Sequence, residues 1–104
     1  MTPNTLVRAQ SDKVFVAELA GEAVLLNAET GIYFTLNPVG LMIWSSLVSE
    51  PRTVEELVAE VVRAFPAASA NAPADVSSFV SSLVDHQLAI VISTRQDSPV
   101  TGAS

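Results

Sequence analysis

His86 is the only histidine in a chain without cysteine, so any search for catalysis begins there. A metal site needs several converging His, Cys or carboxylate ligands, and a lone histidine does not supply them. Near the end of a helical pattern its cationic form instead meets the favourable end of the helix dipole. Serines are plentiful, but a hydrolytic serine needs a base and an orienting group beside it. Ser82 is merely the helical neighbour of His86. Glu55, Glu56 and Glu60 form the other titratable cluster. Their spacing places them on or beside the polar face of one helix, a solvated arrangement rather than an acid–base pair. Gly21, Gly31, Gly40 and Gly102 stand apart and make no phosphate loop. These residues predict no enzyme, no metal and no cofactor.

The bulk composition points the same way. The 104 residues are 49% hydrophobic, which suits one small domain with a modest core. The net charge is -6, from 11 acidic and 5 basic residues. Arg8, Lys13, Arg52, Arg63 and Arg95 are scattered, whereas a reader of nucleic acid clusters its cations. An apolar or basic peptide is the better partner for such a surface. No apolar run approaches the roughly 18 residues of a membrane span, and residues 1–10 lack the hydrophobic stretch of a signal peptide. A cytoplasmic protein is expected, with no nucleic-acid or membrane partner.

The elements that must position any site follow from periodicity. Residues 1–12 are polar and expected to be flexible. Residues 14–19 and 22–26 read as a hairpin of two β-rich strands about Ala20-Gly21. Asn27 to Gly31 is a second turn, with Gly31 free to take positive φ. Ile32 to Leu36 is the third strand, with Ile32, Phe34 and Leu36 on one face and Tyr33 and Thr35 on the other. Asn37-Pro38 starts a first helix through its cap and first-turn proline. Leu41, Trp44 and either Leu47 or Val48 keep its apolar stripe, and Gly40 implies a close approach to the sheet. Thr53-Val54-Glu55-Glu56 is a capping box, and Val54, Leu57, Val58, Val61, Val62 and Phe65 follow helical spacing. Residues 66–73 read as a loop. A third helix begins near Ala74-Asp75 and carries Val76, Phe79, Val80, Leu83, Val84 and Leu88 at helical spacing. Residues 88–92 fit either a short strand or a packed extension, and residues 94–104 are expected to be a disordered tail. Strands first and helices after predict an α+β domain over 13–93: a three-stranded antiparallel sheet followed by three helices.

The run from Thr30 to Trp44 resembles T-G-x-Y-F-x-L-N-x-x-G-x-x-I-W, the pattern of the PqqD-like family of pyrroloquinoline quinone biosynthesis protein D. Thr53-Val54-Glu55-Glu56-Leu57 is similar to the family's second helix start. Asp75-Val76-Ser77-Ser78-Phe79-Val80-Ser81-Ser82-Leu83 resembles its third helix. The likeness runs from about Val14 to Ile90. It departs at Gln87, where the family carries glycine, and in the longer loop 66–73. The resemblance implies a winged-helix-like RiPP recognition element, a domain for ribosomally made, post-translationally modified peptides. Such a domain binds the leader segment of a precursor as an added strand and delivers it to a separate tailoring enzyme or leader protease. The form of the motif resembles members of lasso-peptide pathways.

The residues support that implication on their own. The third strand is the edge of a three-strand meander, without charge or proline to discourage pairing. Ile32, Tyr33, Phe34, Thr35 and Leu36 therefore form a candidate site for β-augmentation. The third helix is the second wall, contributing Asp75, Val76, Val80, Leu83 and Val84. Asp75 and Asp85 are expected to pair with basic leader residues, and Phe79 and Leu83 to lie toward the core. Two rival readings are a winged-helix DNA-binding regulator and a homodimer paired through its edge strands. The first suffers because Ala74 to Gln87 has no Lys or Arg.

Overall fold

A computed structural model describes residues 2–19 and 22–94. Its elements in chain order are β1 (Thr5–Ala9), β2 (Val14–Leu19), β3 (Glu22–Asn27), β4 (Tyr33–Leu36), α1 (Pro38–Ser49), β5 (Arg52–Thr53), α2 (Val54–Ala64), α3 (Ala72–Asp85) and β6 (Ala89–Thr94). The strands form two antiparallel sheets, ordered β2-β3-β4 and β5-β1-β6. The first is the expected meander. Leu25 faces Val16 on one side and Phe34 on the other, and Leu26 faces Phe15 and Tyr33.

The second sheet departs from the sequence reading. The segment expected to be flexible contains β1, which pairs with β5 and with β6 and buries Val7 and Ala9. Its alternation is short, with Thr5, Val7 and Ala9 inward and Arg8 exposed between the last two. Partners distant in sequence, one in mid-chain and one after α3, rather than local propensity, make it a strand. Of residues 88–92, Ala89 onward forms a strand, β6, that extends to Thr94, while Leu88 precedes it. The rest of the expected tail lies outside the described residues.

Helix starts follow the side chains read from sequence. Asn37 caps α1, its Oδ1 accepting from the Gly40 amide at 2.7 Å. Thr53 and Glu56 complete a capping box on α2, with bonds of 2.8 and 3.1 Å. The stretch 66–73 is not wholly loop. Pro66–Ala68 forms a 3-10 turn, and α3 begins at Ala72 with Pro73 in its first turn, where a missing N–H costs nothing. The core gathers Val7, Leu25, Leu36, Ile43, Trp44, Leu57, Val61, Val80, Leu83 and Leu88 between the helices and the inner faces of both sheets.

Candidate peptide-binding groove

The groove is built from β4 outward. Asn27 shapes the turn that precedes it: its Oδ1 accepts from the amides of Glu29 at 2.9 Å and Thr30 at 3.1 Å. Gly31 takes φ +77°, the left-handed region that glycine enters without strain, and its amide donates to Asn27 O at 2.8 Å. The Asn27 amide then donates to Ile32 O at 2.9 Å, which fixes the phase of the ladder. Antiparallel pairing alternates between residues that bond to the neighbour and residues that turn away. Phe34 and Leu36 therefore bond toward β3, and Tyr33 and Thr35 direct their N–H and C=O groups to the free side. Among the described residues no strand pairs with that side.

Helix α3 forms the facing wall. Asp75, Phe79, Ser82 and His86 recur at helical spacing and form a stripe toward β4. The Phe34 ring meets the Phe79 ring edge-on at 5.9 Å and the His86 ring at 5.5 Å. Such edge-to-face contacts are favourable beyond their buried area. The helix ends in a Schellman motif. Leu88 N donates to Leu83 O at 2.8 Å and Gln87 N to Val84 O at 3.1 Å, with Gln87 at φ +61°. Buried Asn27 donates from Nδ2 to Gln87 O at 3.0 Å. One side chain thus ties the turn before β4 to the end of α3, holding both walls in register.

At the other end of the groove a cavity of about 190 Å³ opens among Asn37, Gly40, Ile43, Asp75, Val76 and Phe79. Gly40 keeps it open. A Cβ there would stand 3.2 Å from Phe79 Cζ and 3.3 Å from Leu36 Cδ2. The close approach expected at Gly40 is thus to α3 as well as to the end of β4.

Residues 22–89 match the family described as Coenzyme PQQ synthesis protein D (PqqD), well over half of the chain. The chain belongs to the PqqD family. No curated protein matches it. Among solved structures it is similar to TbiB1 in complex with the TbiA(β) leader peptide, at 30% identity and a TM-score of 0.66, over 79% of this chain and 93% of that one. It shares its fold with lasso peptide synthetase B1 complexed with the leader peptide, at 21% identity and a TM-score of 0.65, over 81% and 96% of the two chains.

Within this PqqD-family fold the residues singled out from sequence divide into two groups. Tyr33 and Thr35 are exposed, Phe34 is half-buried and Leu36 is buried. Ile32 lies just before the strand and is exposed. Asp75 is exposed at the cavity rim. Val76 and Val80, expected as groove residues, are core residues at 1% and 0% exposure; Leu83, counted with the wall but expected toward the core, is buried there at 0%. They back the wall rather than line it, because their stripe faces inward from the Asp75–His86 stripe. Val84 is half-buried and packs against the core. Phe79, expected in the core, is half-buried and faces Phe34. Sequence reasoning missed the placement of Phe79 and His86 against Phe34 and of Asn27 against Gln87 O. The Asp75–Phe79–Ser82–His86 spacing was the available signal for two of them; Asn27 gave none beyond turn composition. Two of the three carboxylates of α2 have structural partners: Glu56 closes the capping box, and Glu60 lies 3.3 Å from Arg52 and bonds Ser46. Among the described residues no three His, Cys, Asp or Glu group closely enough to hold a metal, and no helix is long and apolar enough to cross a membrane.

Proposed function

We propose that this chain binds the leader segment of a ribosomally made precursor peptide as an extra strand on β4 and presents it to a separate tailoring enzyme or leader protease, without catalysing a reaction itself. The observation that carries the reading is the free edge of β4, faced by the Asp75–His86 stripe of α3. The likeness to TbiB1, itself seen with a leader peptide, supports it. Absence of Lys and Arg from α3 argues against a DNA-reading helix.

The mechanism is β-augmentation with one apolar anchor. Tyr33 and Thr35 offer two donors and two acceptors to the incoming strand. At roughly 1 kcal/mol net each, these bonds do not offset the cost of ordering a peptide. An apolar leader side chain seated in the cavity beside Phe79 adds about 2 kcal/mol. An affinity on the order of nanomolar to micromolar corresponds to about 8–12 kcal/mol, so further apolar leader side chains must be buried along the groove. Backbone pairing tolerates many sequences, so the cavity and the α3 stripe must set selectivity. Asp75 and Asp85 favour basic leader residues by charge.

Titration of the ¹⁵N-labelled chain with synthetic TbiA(β) leader tests the reading. Shift changes and slowed amide exchange are expected at Tyr33 and Thr35, with further shifts at Asp75, Phe79 and His86. Changes confined to the free edges of β2 or β6, or no changes at all, would refute it.

A further inference from the structure

His86 closes the end of the groove opposite the cavity, and its hydrogen bond fixes which nitrogen carries the proton. Nδ1 lies 2.8 Å from Ser82 O. A carbonyl oxygen only accepts, so Nδ1 is the donor, and in the neutral ring Nε2 is left as a bare acceptor. Among the described residues no donor reaches Nε2. The ring is exposed, stands 5.5 Å from Phe34 on the free edge strand, and is held at 71° to it. A strand laid along β4 therefore passes a ring oriented by its bond to Ser82 O and its contact with Phe34.

We propose that His86 is a specificity-determining residue whose Nε2 selects a leader side chain bearing an N–H or O–H donor. The proposal rests on leader binding at β4 and goes beyond it by naming what one position of the groove reads.

The test measures, at about pH 7.5, the affinity of the full chain for TbiA(β) leader and for each of its single-alanine variants. One lost hydrogen bond corresponds to a change of about fivefold. The scan is expected to reveal one donor-bearing position whose loss weakens binding to wild type about fivefold and leaves binding to His86→Ala unchanged. The same pattern of losses in wild type and His86→Ala overturns the inference while leaving leader binding intact. Failure of wild type to bind overturns both.

Discussion

Gln87 shows how a single side chain constrains a groove from outside it. The residue occupies the left-handed C-terminal position of α3 at φ +61°, where the family carries glycine. For a non-glycine residue this conformation costs about 1–2 kcal/mol. Glycine would give back about 0.5–1 kcal/mol through its freer unfolded chain. The exposed Gln87 side chain loses no packing on removal. Gln87→Gly should therefore stabilise the domain by about 0.5–1 kcal/mol, a rise of about 4 °C in Tm. A lower Tm in thermal melts would show that the glutamine contributes something the backbone geometry does not reveal. Asn27 acts in the opposite sense. It accepts from Glu29 and Thr30 and donates to Gln87 O, all from a buried position. Asn27→Asp keeps the acceptor, removes the donor and leaves a carboxylate against a carbonyl. Urea denaturation should show a loss of about 2 kcal/mol, the cost of an unsatisfied buried polar group. The departure at Gln87 was visible in the sequence. Its left-handed geometry was not, because only the packing of Leu88 beneath α3 makes the chain turn there.

β4 is the element on which the proposed function depends, and its two faces and two edges were unequally legible. Alternation in Ile32 to Leu36, the turn glycine and the short hairpins gave the strand, its order in the sheet and its free edge. The other wall was read less well. Apolar positions of α3 satisfy two adjacent stripes, and a sequence does not say which faces inward. Val76, Val80 and Leu83 went to the core because α2 and the sheets occupy that side, which left Phe79 to meet Phe34. The phase of the ladder yields a sharp test of strand addition. The Thr35 amide points away from β3, so proline there removes a donor offered to the ligand and none used by the fold. Thr35→Pro should fold with a Tm within a few degrees of wild type and bind leader at least tenfold more weakly. Phe34→Pro removes a bond to Leu25 within the sheet and should lower stability by about 3 kcal/mol. Equal leader affinity in Thr35→Pro and wild type, measured by fluorescence anisotropy, would mean that the peptide does not pair with β4.

At the scale of the whole molecule, the two ends of the domain are held by each other. β1 is the middle strand of its sheet, with β5 on one side and β6 on the other. The stretch matching the family, residues 22–89, excludes β1 and all but the first residue of β6. The recognisable part of the fold thus carries the groove, while the part that closes it beneath the helices leaves almost no pattern. Five residues with one arginine among them do not announce a central strand. Non-local pairing decides the matter: Leu6 meets Thr53, Val7 meets Arg52 and Val91, and Ala9 meets Ala89. The Pro3 carbonyl also accepts from Glu55 N at 3.0 Å, in the first turn of α2. Deleting residues 2–10 would expose the apolar surface that covers Val7 and Ala9 and leave β5 and β6 without a partner. Burial of those two side chains contributes about 2–3 kcal/mol, and the lost ladder bonds add roughly 1 kcal/mol each. A domain of this size has only about 5–10 kcal/mol in total. The truncated chain should therefore lose its cooperative melt and its dispersed amide spectrum, and with them leader binding, although every groove residue remains. A truncated chain that still melts cooperatively near the wild-type Tm would show that the second sheet is dispensable and that the groove stands on the meander and helices alone.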